Sequence, residues 1–335
     1  MQAAIYGLAG LEITPEERAF FRDADAAGYI LFKRNCADQT QLLRLTDALR
    51  DLTGRDQLPI LIDQEGGRVA RMKPPEWPSF PAAEVFAQLY QAAPSSAIEA
   101  ARSNARAIAL TLKSAGINVN CLPLLDVRQE GANDIIGDRA LGSEPMQVAA
   151  LGRAVLDGIA SAGVVGVIKH LPGHGRALAD SHKELPVVSA SAEDLEIDLE
   201  PFERLRAAPM GMTAHVVYTA WDTERPASLS PTVIHDIIRG RIGFEGWLMS
   251  DDLGMEALSG DFGSRAAGVV AAGCDVALHC SGKMDEMVAV AAAVPTMTSD
   301  GEARLARAMA TVLVADDGAN FADAVAKRDA LLALV

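Results

Sequence analysis

Eight short apolar runs recur along the chain at fairly even intervals, and a helix-like segment follows each one. The runs are Ala3–Tyr6, Tyr29–Phe32, Pro59–Ile62, Asn118–Cys121, Val165–Ile168, Met210–Thr213, Trp247–Met249 and Asp275–Leu278. Most read as continuous apolar runs rather than alternating ones, as strands of a parallel sheet buried on both faces do. The predicted helices are Pro15–Ala26, Gln39–Leu52, Ser96–Ala115, Pro145–Ala162, Ala192–Arg206, Pro231–Arg239, Ser264–Ala272 and Met284–Ala293. Thr14-Pro15, Ser191-Ala192 and Ser230-Pro231 supply a capping hydroxyl, a first-turn proline or both. Eight such repeats predict an α/β fold, a (β/α)8 TIM-type barrel. An open doubly wound sheet is the alternative, but no Gly-rich phosphate fingerprint follows the first run. The expected organisation is one catalytic barrel domain over 1–335. The barrel takes up about 3–293, and an Ala-rich amphipathic helical extension packed outside it about 300–335.

A barrel of this kind builds its site at the C-terminal ends of its strands. The longest connections, read as non-helical, are Asp63–Pro94, Leu122–Glu144, Lys169–Ser191 and Ala214–Leu229, after the third to sixth runs. Polar residues stand at the matching run ends: Asp63, Lys169 with His170, His215 and Asp251. Several on different strands, all at one end, are hard to ascribe to packing.

Composition narrows the function classes. Thirty Lys and Arg against 45 Asp and Glu give a formal charge of −15, which disfavours nucleic acid and anionic lipid as partners. Four scattered cysteines, Cys36, Cys121, Cys274 and Cys280, lack metal-finger spacing and read as buried free thiols. The N-terminus has no basic segment, and no apolar run is long enough for a membrane span. A cytoplasmic protein is expected.

The segment Lys169-His170-Leu171-Pro172-Gly173-His174-Gly175, with Asp180-Ser181-His182 after it, holds three of the six histidines. Proline and glycine make it a loop. In an extended loop Asp180 and His182 lie on one side, so the carboxylate can orient the ring and favour its protonated form, as a general acid needs. A surface Asx turn with a solvated histidine is the alternative. The histidines suit zinc only on a helix, which Pro172 and Gly173 forbid, so no metal is expected. Of Asp251 and Asp252, one carboxylate is expected to face the barrel mouth and the other to cap the next helix; both can instead be caps. The Gly66-Gly67 turn allows Asp63 and Arg71 to face the mouth, and Arg139 lies in a second polar loop. This donor and acceptor set suits a polyhydroxylated ligand, unless the arginines only tie loops down.

Four motifs occur in order: Asp63-Gln64-Glu65-Gly66-Gly67-Arg68-Val69, Ile136-Gly137-Asp138-Arg139, the histidine segment with its Asp-Ser-His, and Ser250-Asp251-Asp252-Leu253. In this combination the chain, from about residue 5 to residue 290, resembles the bacterial β-N-acetylglucosaminidases of glycoside hydrolase family 3, the NagZ type of peptidoglycan recycling. The resemblance implies a retaining exo-glycosidase acting on N-acetylglucosaminyl muropeptides, without cofactor. It implies Asp251 as nucleophile, His182 as acid/base with Asp180 as its partner, and Asp63, Arg71, Arg139, Lys169 and His170 as sugar-binding residues. Leu171 replaces the family's usual Phe, and Gly254 a common Ser. A monomer is expected, with a mobile Gly173–Ser181 loop whose closure brings His182 to the substrate. A histidine base also repels anions less than a carboxylate does, which admits phosphate as a competing acceptor. Rival readings are a β-glucosidase or β-xylosidase of the same broad family, a metal-dependent hydrolase, and a non-catalytic muropeptide sensor.

Overall fold

Strands buried on both faces need partners on both edges, and the chain meets that need by closing on itself. In the computed structural model, which describes residues 1–313 and 320–334, eight parallel strands form a closed barrel. They are β1 (Gln2–Gly7), β2 (Ala26–Leu31), β3 (Ile60–Ile62), β4 (Val119–Asn120), β5 (Val165–Leu171), β7 (Met210–Thr213), β9 (Trp247–Asp252) and β10 (Val276–His279). Each overlaps one of the eight apolar runs. The seam joins first strand to last, with Ala4, Ile5 and Tyr6 opposite Ala277, Leu278 and His279. Two further strands, β6 (Val187–Val188) and β8 (Val217–Tyr218), pair in a small parallel sheet separate from the barrel. They had no sequence signature, because two residues cannot show a period.

Helices alternate with the strands. Thr14 and Glu17 form a reciprocal capping box at the start of α1 (Pro15–Ala24). Asp38 caps α2 (Gln39–Thr53) and Ser191 caps α6 (Ala192–Arg204). The connection 63–94 is not wholly non-helical as expected: α3 (Ala83–Ala92) lies in it, broken from α4 (Pro94–Ser114) at Ala93. Pro94 disfavours a helical conformation at Ala93, and this hid the shorter helix behind the longer one. The segment Val233–Arg241 is π-helical rather than α-helical. Its wider turn keeps Ile234, Ile238 and Ile242, spaced four apart, on one buried face. The remaining helices are α5 (Pro145–Ser161), α7 (Phe262–Ala272), α8 (Met284–Ala293), α9 (Ser299–Ala310) and α10 (Phe321–Leu332). The last two supply the predicted extension, of which residues 314–319 and 335 lie outside the described residues.

The core fills the barrel and the layer between strands and helices, with Trp247, Tyr6, Tyr29, Phe21, Phe202 and Phe244 fully buried. Buried Asp275, just before β10, accepts from Arg239, Arg304 and the Leu248 amide at 2.8–2.9 Å, pinning α9 and the π-helical segment to the barrel. All four cysteines are free; Cys36 is half-buried and the others are buried. Among the described residues no helix is long and apolar enough to cross a membrane.

Candidate active site

A cavity of about 230 Å³ opens at the C-terminal ends of the strands. Asp63, Arg71, Arg139, Lys169, His170, His182 and Asp251 line it. Asp180 stands behind His182, one hydrogen bond away.

Asp63 follows β3 and Lys169 lies near the end of β5. Lys169 Nζ donates to Asp63 Oδ1 at 3.0 Å and also lies 2.8 Å from Glu65 Oε1. Arg71 donates to Asp63 Oδ2 at 2.9 Å, and Arg139 clasps Glu65 with two bonds of 2.8 and 2.9 Å. Gly66 and Gly67 both take positive φ in the turn that brings Arg71 back. A Cβ on Gly66 would lie 2.3 Å from the Pro81 carbonyl. Burial pushes the Asp63 and Glu65 carboxyls up, but for Asp63 Lys169 and Arg71, and for Glu65 Lys169 and Arg139, more than reverse that, and both lie below the usual carboxylate range. Burial lowers Lys169, and Glu65 and Asp63 overcome that as well.

His170 depends on a residue that sequence reasoning missed. Fully buried Asp126 accepts from the His170 ring at Nδ1 (2.8 Å), the His170 amide (3.1 Å) and the His174 amide (2.7 Å). Burial raises the Asp126 carboxyl, and the His170 ring outweighs it, holding it down to about 2. An ionised carboxylate can only accept, so Nδ1 of His170 carries the proton and Nε2 is left free of that partner. Glu65 was missed too. Both had a signal: Glu65 sits two positions after Asp63, and Asp126 ends the apolar run Leu122-Pro123-Leu124-Leu125 beyond the fourth strand.

Asp251 sits at an irregularity. Met249 pairs with Val276 and Asp252 with Leu278, so β9 holds one residue more than β10 between the pairs. Such a bulge re-aims a side chain, and here Asp251 lines the cavity while 7% exposed. Burial alone would raise its carboxyl; the His170 ring, the Asp252 amide and Lys169 are among the groups that prevail and lower it. Asp252 does not cap the next helix as expected. Its carboxylate accepts from the Gly254 and Cys280 amides, and Asp261 caps α7. The bulge spoils the simple alternation on which that expectation rested.

His182 Nδ1 meets Asp180 Oδ1 at 3.0 Å, and the His182 amide donates to the same oxygen at 3.0 Å. The backbone here is an Asx turn rather than extended, because one carboxylate oxygen serves both amide and ring. The ring is 55% exposed and still lines the cavity. The first part of the Gly173–Ser181 loop is anchored. Tyr218 donates to the Gly173 carbonyl, the Gln129 and Asn133 amides donate to the Gly175 and Ala177 carbonyls, and Arg176 bonds Asp198. Beyond that part Leu178 and His182 are exposed, while Ser181 between them is buried and its carbonyl accepts from the Ala257 amide. The histidine segment's residues bond to neighbouring carboxylates; among the described residues no group of three His, Cys, Asp or Glu is arranged to hold a metal ion. Chemically, the cavity offers a recessed ionised carboxylate, a solvent-reaching imidazole backed by a carboxylate, and fixed donors and acceptors around them.

The profile described as glycosyl hydrolase family 3 N terminal domain matches residues 3–314. The chain is 36% identical over 279 residues to the β-hexosaminidase of Bordetella avium, covering 82% of this chain and 79% of that protein. It is 40% identical over 280 residues to the β-hexosaminidase of Alkalilimnicola ehrlichii, with the same coverages. Among solved structures, NagZ from Neisseria gonorrhoeae in complex with N-trifluoroacetyl-D-glucosamine superposes with a TM-score of 0.87 at 33% identity, over 99% of this chain and 98% of that one.

Proposed function

The chain belongs to glycosyl hydrolase family 3, and from that membership we propose a retaining exo-β-N-acetylglucosaminidase that removes non-reducing terminal N-acetylglucosamine from 1,6-anhydro-muropeptides in cell-wall recycling. It is a glycoside hydrolase of the β-hexosaminidase kind. The reading includes a single catalytic domain, a monomeric state and a cytoplasmic location.

Asp251 attacks the anomeric carbon as His182 passes its proton to the departing glycosidic oxygen. A covalent glycosyl-enzyme and a free aglycone result. His182, now neutral, takes a proton from water, whose oxygen attacks the same carbon and releases the sugar with retained configuration and Asp251 ionised again. This is the two-step retaining route with a histidine where a carboxylic acid usually stands. Asp180 orients the ring through Nδ1 and leaves Nε2 for the proton. Asp63, Arg71, Arg139, Lys169 and His170 hold the sugar hydroxyls. The observation that carries the reading is the pairing in one cavity of a buried, lowered carboxylate with a carboxylate-backed imidazole.

Trapping with a fluorinated N-acetylglucosamine analogue, followed by peptide mapping, is expected to label Asp251. Asp251→Ala is expected to abolish both labelling and turnover of activated aryl glycosides, and a label elsewhere overturns the mechanism. Comparing aryl β-N-acetylglucosaminide with aryl β-glucoside separates this reading from a β-glucosidase.

A further inference from the structure

His215 is fully buried just beyond β7, yet none of the steps above uses it. Its Nε2 lies 3.0 Å from the Asp252 carbonyl and its Nδ1 2.6 Å from Ser228 Oγ. A carbonyl only accepts, so Nε2 carries the hydrogen. Burial lowers the ring's pKa first of all and favours the neutral form, in which Nδ1 accepts from the Ser228 hydroxyl. Ser228 is itself fully buried, and its amide donates to the Ala214 carbonyl, so the relay rests on the backbone next to His215.

The position of this bond matters because of what stops nearby. The pairing of β7 with β9 runs through Met210–Trp247, Gly211–Leu248 and Met212–Met249, and goes no further. On the opposite edge β9 stays attached: Ser250 Oγ accepts from the Leu278 amide, and Leu253 donates to the Leu278 carbonyl. Asp251 therefore lies beyond the end of the ladder on the β7 side and within the bulge on the β10 side, so no strand pairing fixes its backbone from the β7 edge. The His215 ring spans that gap.

We propose that His215 is a positioning residue for the nucleophile: its Nε2–H, oriented by Ser228, braces the bulged Asp251–Asp252 segment from the β7 side and holds the carboxylate in line for attack. The proposal rests on the reading of Asp251 as nucleophile.

The test uses the full chain with 4-nitrophenyl β-N-acetylglucosaminide, N-acetylglucosamine as a binding probe, and ¹⁵N spectra of the histidine rings. His215→Ala is expected to lower kcat about 100-fold while the Kd for N-acetylglucosamine stays within about threefold, since a misplaced nucleophile costs rate and not sugar binding. His215→Gln, which keeps an N–H donor, is expected to recover about tenfold of that loss, and Ser228→Ala to lower kcat several-fold, about 3 to 10. Wild-type spectra are expected to show the neutral Nε2–H tautomer, and Ser228→Ala a mixture. The idea is overturned by a kcat for His215→Ala within about threefold of wild type, or by a Kd that weakens as much as kcat falls. An Nδ1–H tautomer in the wild type overturns it as well. If His215→Ala does not fold, wild-type rates in both His215→Gln and Ser228→Ala, with an unchanged tautomer in the latter, overturn it. Asp251→Ala runs alongside: turnover surviving there removes the nucleophile reading, whereas turnover lost there and kept in the His215 variants removes the brace alone.

Discussion

Lys169 brings a charge to a place almost closed to water, and it stays charged because two carboxylates meet it there. The wider cluster sets Asp63, Glu65 and Asp251 against Lys169, Arg71 and Arg139. Asp251 shares this cavity, and Lys169 is among the groups that lower its carboxyl toward the ionised form a nucleophile needs. His174 shows the opposite strategy. Its buried ring has no partner at Nδ1 among the described residues, and burial, followed by the nearby His170, lowers its pKa from 6.5 to about 4. The unfolded chain therefore takes up that proton first. The stability contributed is full above about pH 6.5 and falls away toward pH 4, by about 3 kcal/mol. His174→Gln is expected to flatten this part of the pH dependence; urea unfolding at several pH values checks it, and parallel curves for both proteins count against it. At His182, only substrates with poor leaving groups need the donated proton. His182→Ala is expected to slow these about 10² to 10⁴-fold more than activated aryl glycosides, and equal losses on both remove the acid role.

At the scale of elements, β9 and the histidine segment do different kinds of work. The bulge in β9 turns Asp251 to the cavity, while Asp252, which also borders it, has its carboxylate holding the following turn. The histidine segment is fixed at its root and more exposed further out, where Leu178 and His182 reach solvent around a buried Ser181. Gly175 belongs to the root: a Cβ there would sit 1.9 Å from the Val127 carbonyl. Gly175→Ala is expected to displace the root and lower kcat about 100-fold while circular dichroism still reports an intact barrel. Wild-type kcat in that variant would show the root to be yielding. Much of this was legible in the residues. The Asp180-His182 spacing, the strand-end Asp63, Lys169 and Asp251, and the paired glycines all pointed to the cavity. The root was not legible, because its anchors are backbone amides of Gln129 and Asn133 and the phenol of Tyr218, which only the folded chain brings near. Asp126 carried a signal, at the end of an apolar run, but that run lies past the strand read as ending at Cys121; α3 was hidden by the proline that follows it.

For the whole molecule, the closed barrel separates what binds from what stabilises, since the cavity uses one end of the strands only. α10 packs on α4, away from the cavity, and its buried Arg328 donates to Asn104 at 3.1 Å. Arg328→Ala is expected to cost about 1–3 kcal/mol of stability and to leave kcat and KM unchanged; a thermal melt and steady-state kinetics check both, and altered kinetics would mean that the outer helices reach the site. The strand count was legible because most of these strands, buried on both faces, are apolar runs; the fourth, with Asn118 and Asn120, is the exception. The order of closure follows from the seam. Ala4, Ile5 and Tyr6 find their second partners only at Ala277, Leu278 and His279. During synthesis β1 therefore waits, with one edge of its ladder unpaired, until nearly the whole barrel has emerged. Such an apolar edge is a template for wrong pairing with another chain. The same closure ties together β3, β5 and β9, so a nascent chain cut short before β10 carries most of the chemical groups of the cavity and none of the enclosure that would make them act together.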